Sequence, residues 1–291
     1  MILIKTLVQI RNFLIYKFYD LQAKISSKPF PLDPEVNFVT SIASYPKRDP
    51  LLPAVFQALS KQTVKPKKMV LVLSVEDYPE QRLPRHLGKL EQRGVEIVWV
   101  KNNPYAVKKL IPVMEKYPEL DLITLDDDII YHKSLLQGLI TKAKGKNKAV
   151  MGYVGKTLHR KNNDLHIYYR EKKPCNLQTP AEQVYLIGWG GIYYPAHSLD
   201  NKVLDMDAVH EIVPGRGSDI WFWAAAHANN TSQLCLGIPS HYNLGIPIPQ
   251  NTSTKPKDQP GHDVLTERFQ KTIDYFGIRE KLIRTLPNKK D

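Results

Sequence analysis

Leu122-Ile123-Thr124-Leu125-Asp126-Asp127-Asp128-Ile129-Ile130-Tyr131 sets three consecutive carboxylates between two apolar runs. The first run reads as a buried strand that ends at Leu125. Like charges at this spacing repel, and a strand end brings them close to a low-dielectric core. A hard divalent cation such as Mn²⁺ or Mg²⁺ removes that conflict, because it takes carboxylate oxygens and keeps positions open for phosphates. In an extended segment Asp126 and Asp128 point to one side and Asp127 to the other. The expected metal ligands are therefore Asp126 and Asp128. The competing reading is an acidic cap on a helix starting near Lys133, but a cap needs one aspartate, not three.

Upstream of this stretch, strands and helices alternate. Phe38–Ala43, Lys68–Ser74, Val95–Val100 and Asp121–Leu125 read as strands. Residues 51–61, 83–94 and 107–116 read as helices, with Leu52, Val55, Phe56 and Leu59 inward in the first. The alternation predicts an α/β fold with a mostly parallel central sheet covered by helices on both faces. Ligands of such sheets sit beyond the carboxyl ends of strands, where the aspartates fall. Downstream the pattern is less regular. Residues 149–154 read as a strand, 184–195 as a glycine-bearing strand, 214–227 as a loop feeding a helix, 237–261 as loop and 265–276 as a helix.

The first 22 residues stand apart. Leu3, Leu7, Ile10, Leu14, Phe18 and Leu21 recur every three or four positions, on one helical stripe, with Arg11 and Lys17 flanking it. The uncharged runs are far shorter than the ~20 residues a span requires. No small-residue cleavage site follows, which predicts no secretory signal. The expectation is an amphipathic helix lying on an anionic membrane. The alternative is a stripe packed on the protein's own surface. Lys28-Pro29-Phe30-Pro31-Leu32-Asp33-Pro34 then breaks any helix. The expected organisation is a helix over 1–27, a linker over 28–35 and one domain over 36–291, divided at 131/132 into donor-binding and acceptor-binding halves.

Composition narrows the function classes. The chain has 291 residues, 42% hydrophobic and 24% charged, enough apolar material for a sizeable core. Cys175 and Cys235 are the only cysteines, which excludes a disulfide framework and a Cys-based zinc site and fits a reducing, cytoplasmic compartment. Lys and Arg outnumber Asp and Glu by 41 to 29, giving +12 and favouring anionic partners. No RNA-binding aromatic signature or zinc-finger spacing is present, so nucleic acid is not an expected partner.

Several segments carry a resemblance. Val39-Thr40-Ser41-Ile42-Ala43-Ser44-Tyr45-Pro46-Lys47-Arg48 resembles the opening strand of bacterial glycosyltransferases of the GT-A fold. Ala58-Leu59-Ser60-Lys61-Gln62-Thr63-Val64-Lys65-Pro66 is similar to their S-L-x-x-Q-T-x-x-P turn, with Ala58 for the usual serine. The T-L-D-D-D-I-I-Y of residues 124–131 resembles their D-x-D segment. Residues 188–195 resemble a glycine-rich strand before the acceptor region. Gly217-Ser218-Asp219-Ile220-Trp221-Phe222 is similar to a D-D-x-W-F segment, with Ser218 replacing the first acid. The likeness spans residues 36–225 and is nearest to family 2-like enzymes of surface-polysaccharide biosynthesis.

That resemblance implies a metal-dependent glycosyltransferase. The donor would be a nucleotide-diphosphate sugar, UDP-sugar favoured, and the acceptor a glycan or lipid-linked molecule. It places Ser44 and Tyr45 at the nucleobase, with Arg48 and Lys109 also at the donor. Asp127 would back the metal or meet the donor ribose. Gly190 and Gly191 would leave room for the sugar, Asp219 would be the base of an inverting reaction, and His241 a third metal ligand. His262 is a weaker alternative to His241. Trp189, Trp221 and Trp223 are candidates for a sugar-stacking platform.

The chemistry asks for the same residue types. A departing diphosphate needs a cation, and an acceptor hydroxyl must pass its proton to a base. Each assignment has a plainer rival. Asp219 is also a good helix N-cap, the glycines also suit a tight turn, and Lys108 and Lys109 also suit a solvated surface. A sugar nucleotidyltransferase would carry a glycine-rich loop after the first strand; residues 44–50 hold no glycine. A phosphohydrolase would carry its D-x-D on the first strand, which holds no aspartate. A non-catalytic binding protein of the same fold is separated only by activity.

Overall fold

The computed structural model describes residues 2–144, 149–161, 164–166, 181–249 and 262–286. Its helices are α1 (Ile2–Ile25), α2 (Leu52–Leu59), α3 (Arg85–Gln92), α4 (Ile111–Lys116), α5 (Leu135–Ala143), α6 (Met206–Ile212), α7 (Ser218–Ala228), α8 (His262–Tyr275) and α9 (Arg279–Thr285). Its strands are β1 (Phe38–Ala43), β2 (Lys68–Ser74), β3 (Val95–Val100), β4 (Asp121–Leu125), β5 (Ile129–Tyr131), β6 (Val150–Gly152), β7 (Gly155–Thr157), β8 (His159–Lys161), β9 (Asp164–His166), β10 (Val184–Leu186), β11 (Ile192–Tyr194), β12 (Gln233–Cys235) and β13 (Gly245–Pro247).

Seven strands form the central sheet in the order β12-β6-β11-β4-β1-β2-β3. β1 runs parallel to both β2 and β4, and β2 parallel to β3. β11 is inserted antiparallel between β4 and β6. The fold is thus α/β with a mostly parallel sheet, as the alternation predicts. Successive side chains of β2 take opposite faces. Val70 and Val72 pack with α4 and α7–α9, while Met69, Leu71 and Leu73 pack with α2, α3 and α5. Each such fully buried side chain is worth about 1.5–3 kcal/mol. Two-sided burial is why these strands read as unbroken apolar runs rather than alternating ones.

Several boundaries differ from the sequence reading. Helix 51–61 splits into a 3₁₀ turn over Pro46–Leu51 and α2, and helix 107–116 into a 3₁₀ turn over Tyr105–Lys109 and α4. Pro53 and Pro112 explain both splits, since each sits in the first turn of an α-helix, where a missing N–H costs nothing. Residues 184–195 are two short strands around a 3₁₀ turn, Gly188–Gly190. β13 lies within the expected loop 237–261 and pairs antiparallel with β5. The chain leaves β13 beside the aspartates, where Ile248 N donates to Asp128 O at 2.8 Å; residues 250–261 lie outside the described ones.

α1 packs on α2 and no described helix is long and apolar enough to cross a membrane. The stripe does not face the protein. Asn12, Asp20 and Ala23 are turned inward, and Leu7, Ile10, Leu14, Phe18 and Leu21 are exposed. The alternative of a stripe packed on the protein's own surface is therefore overturned. Residues 28–35 follow without regular structure, held by Phe30, which is buried under the Arg93 guanidinium at 4.0 Å.

Candidate active site

Parallel pairing puts the carboxyl ends of β1 and β4 side by side, with Ile42 opposite Leu125. The loop after β1 and the acidic turn after β4 therefore meet. Ser44 Oγ donates to Asp127 Oδ2 at 2.7 Å, and Arg48 donates to Asp127 Oδ1 at 3.0 Å. The same Arg48 nitrogen lies 2.6 Å from Asp128 Oδ2. Arg48 Nε is buried and has no hydrogen-bond partner among the described residues. Tyr45, half-buried, lies with its ring 6.0 Å from the Arg48 guanidinium.

On the other side, the 3₁₀ turn over Tyr105–Lys109 delivers Lys109, whose Nζ donates to Asp126 Oδ1 at 3.2 Å. Asp219 enters from the first turn of α7 and accepts from Gly188 N at 3.0 Å. A Cβ built on Gly188 would lie 3.0 Å from Asp219 Oδ1 and 3.1 Å from Lys109 Nζ. Lys109 and Asp219 thus approach each other across a glycine. Asp219 makes no cap bond to α7, whose N-cap is Gly217. The N-cap reading of Asp219 is overturned.

Electrostatics follow from this packing. Burial pulls the Lys109 ammonium down, but Asp126 and Asp219 outweigh it and hold the pKa above its ordinary value. Burial pushes Asp219 up, offset in part by Lys109 and the Gly188 N–H. Asp127 is pushed up to about 6 by burial, with Asp128 and Asp126 adding to the rise and Arg48 and Ser44 opposing it. Lys108 is buried beside Asp77 at 3.7 Å and donates to Asn103, and burial lowers its pKa.

The three aspartates are held by different partners. Two-fold alternation holds for an extended segment, whereas residues 127 and 128 form the turn between β4 and β5. Asp127 and Asp128 consequently share Arg48, while Asp126 faces Lys109. Tyr131 fastens the turn. Its hydroxyl accepts from Asp126 N at 2.9 Å and donates to Trp189 O at 3.1 Å.

Other expected residues fall elsewhere. Gly190 and Gly191 are required by packing: a Cβ on Gly190 would lie 2.8 Å from Val154 Cγ2, and Gly191 has φ +79° with Leu125 and Leu135 against it. Both glycines are buried, and the Cβ direction of each is filled by apolar side chains. Gly188 is the glycine that faces the charged groups, and only its partners distinguish it from its neighbours. His241 is not brought to the aspartates. It packs edge-on against Tyr242, which stacks on His132, and it lines a separate cleft of about 600 Å³. The reason is the β5–β13 pairing, which puts Gly245 opposite Tyr131 and carries the preceding residues away from Asp128. The side chain of His262 lies outside the described residues. Trp221 and Trp223 are core residues whose indole N–H groups donate to Val203 O and Val184 O, whereas Trp189 is exposed beside the site.

Among the described residues no three His, Cys, Asp or Glu side chains are gathered as a metal-binding set. The chemistry of the donors nonetheless suits a hard cation. Four carboxylates, Asp126, Asp127, Asp128 and Asp219, gather around Arg48 and Lys109, with Lys108 and Arg216 farther out, and burial raises the Asp127 pKa to about 6. Two carboxylates with substrate phosphates and water are a usual shell for Mg²⁺.

No protein-family model and no curated protein sequence matches the chain. Among solved structures, residues 1–349 of S. aureus TarS in complex with UDP-GlcNAc align at 12% identity, TM-score 0.49, over 84% of this chain and 66% of that one. In another structure of the same TarS fragment the chain spans 58% of its length. The mannosyltransferase PcManGT from Pyrobaculum calidifontis, in complex with GDP-Man and Mn²⁺, aligns at 11% identity, TM-score 0.46, over 96% of this chain and 83% of that one. A CMP:2-keto-3-deoxy-manno-octonic acid synthetase complexed with CTP aligns at 11% identity, TM-score 0.39, over 70% and 89%. The fold assignment itself rests on the strand order and directions above.

Proposed function

We propose that the chain is a metal-dependent, inverting glycosyltransferase of the GT-A type. It moves a sugar from a nucleotide-diphosphate sugar, UDP-sugar favoured, to a glycan or lipid-linked acceptor of surface-polysaccharide synthesis, at the inner face of the cell membrane. One observation carries the reading: Asp126, Asp127 and Asp128 from the turn after β4 and Asp219 from α7 converge at the carboxyl end of the parallel sheet, with Lys109 between the two sets.

Asp126 and Asp128 would hold Mn²⁺ or Mg²⁺. Bound there, the cation supplies charge stabilisation to the departing diphosphate. Arg48, with its unpartnered Nε, and Lys109 add positive charge for the donor phosphates. Ser44 orients Asp127, and Tyr45 beside it offers a face to the nucleobase. Asp219 is the base that takes the proton from the acceptor hydroxyl. Its raised pKa strengthens it as a base, the Gly188 N–H fixes its orientation, and Lys109 keeps it ionised.

The test is release of the matching nucleotide (UDP, GDP or CMP) from a panel of UDP-, GDP- and CMP-sugars with Mn²⁺ present, with Asp128→Ala as the control. Turnover of one donor that disappears in the variant supports the reading. Binding of a donor without turnover by any acceptor would make the chain a sugar-nucleotide-binding protein instead.

A further inference from the structure

α1 sits on the fold with its most apolar side outward. Asn12 Nδ2 donates to Pro247 O at 3.3 Å, Tyr16 donates to Pro50 O at 3.3 Å, and Ala23 is buried. Opposite them, Ile4, Leu7, Ile10, Leu14, Phe18, Leu21 and Ile25 are all exposed, Leu14 by 61% and Ile25 by 76%. At 3.6 residues per turn these cover roughly a third of the circumference. An uncovered stripe of this length marks a docking surface.

Along one edge of α1 lies a cleft of about 350 Å³, between α1, the start of α2 and α3. Its polar lining is Lys24, Arg85, His86, Lys89 and Arg93, without a carboxylate. Lys24 is paired with Asp20, and Arg93 is held by Lys28 O and Gln57 Oε1. Arg85 is exposed and forms no ion pair among the described residues, and His86 Nε2 is buried without a hydrogen-bond partner. Lys89 Nζ donates to Lys24 O at 3.1 Å, and the five basic side chains around one concavity make it attractive to an anion.

We infer that α1 and this cleft together dock the protein on an anionic phospholipid bilayer. The stripe enters the boundary between headgroups and acyl chains, and the Lys24–Arg85–Lys89 cleft takes a lipid phosphate. The inference rests on the membrane location proposed above but not on sugar transfer. Charge complementarity selects the bilayer over a second copy of the chain. Arg11 and Lys17 flank the stripe, so a paired copy would border its apolar seam with like charges. At a bilayer their stems lie in the apolar layer and their heads reach the phosphates.

Co-sedimentation of the full chain with vesicles tests this. Wild type pellets with phosphatidylcholine vesicles containing phosphatidylglycerol and much less with phosphatidylcholine alone. Arg85→Ala/Lys89→Ala weakens the first by about 30-fold, from roughly five-fold per basic residue at a charged surface. Leu14→Glu/Phe18→Glu, at exposed positions that leave the circular dichroism and melting curve unchanged, abolishes pelleting with both. Equal binding to both vesicles, or no effect of the double alanine variant, overturns the phosphate cleft. Absence of binding, or a dimer in sedimentation equilibrium that Leu14→Glu dissolves, overturns the bilayer. UDP release by the same variants in solution, at wild-type rate, shows that either failure is independent of catalysis.

Discussion

Lys109 Nζ lies 3.2 Å from Asp126 Oδ1, and the same ammonium is the largest charge drawing Asp219 down. One cation therefore holds a carboxylate from β4 and another from α7, ends of the chain that share no strand pairing. Removing it leaves two partly buried acids against each other. Lys109→Met is expected to lower stability by about 2 kcal/mol, below the 3–5 of a fully buried pair because Asp126 is part-exposed. It should also abolish turnover, and urea denaturation read beside UDP release checks both.

Asp126→Ala and Asp128→Ala should each erase the rise in melting temperature that Mn²⁺ gives the wild type, since a ligand stabilises only the state that binds it. Asp127→Asn should keep most of it, because both Asp127 oxygens are taken, Oδ2 by Ser44 and Oδ1 by Arg48. Chelation should stop UDP release by the wild type. A full Mn²⁺ response in Asp128→Ala would remove that residue from the metal.

Two neighbouring glycines should fail differently. Gly188→Ala puts a methyl 3.0–3.1 Å from Asp219 and Lys109 and is expected to cost activity of order 100-fold with little loss of stability. Gly190→Ala meets Val154 and Leu244 and is expected to cost about 1–3 kcal/mol by overpacking, with residual turnover in the folded fraction. Comparable melting losses in both would mean that Gly188 serves packing alone.

Asp219→Asn removes the base without changing side-chain size. The expected loss is 10²–10⁴-fold in kcat, with donor affinity in a thermal-shift titration unchanged. A kcat within a few-fold of wild type would move the base elsewhere.

His227 sets an acid limit on stability. Burial lowers its pKa to about 3, its ring packs on Trp223, and its Nε2 has no hydrogen-bond partner among the described residues. The unfolded chain binds the proton near pH 6.5 and the native one near 3, so the unfolded state holds more protons in between. Stability is expected to fall by about 1.4 kcal/mol per unit as pH drops from 6.5 toward 3. His227→Phe should flatten that slope, measured by denaturation at several pH values.

The sheet was legible where strands are long and buried on both faces. Leu71 sits in a run of five apolar residues, Met69–Leu73, and the strands around it alternate with helices. β11 was not, because nothing in three residues, Ile192–Tyr194, records that it enters antiparallel between two parallel strands. The acidic cluster was legible from the cost of three adjacent charges. Its internal division was not, because the two-residue turn at 127–128 cancels the alternation of an extended chain. Gly188 and Tyr131 owe their places to partners 31 and 58 residues away, which local spacing does not encode. The outward stripe of α1 was legible from its spacing, but the inward places of Asn12 and Asp20 were not, since they arise only through α1's docking on the rest of the fold.

Tyr131 joins Asp126 N to Trp189 O through a single hydroxyl. The acidic turn and the glycine turn are thereby coupled, and any displacement of one pulls on the other. Trp189 is the exposed indole at that junction, while Trp221 and Trp223 are sealed in the core. The molecule therefore carries its own optical probe: the emission of Trp189 should shift when a ligand settles against Asp126, and lose that response in Tyr131→Phe.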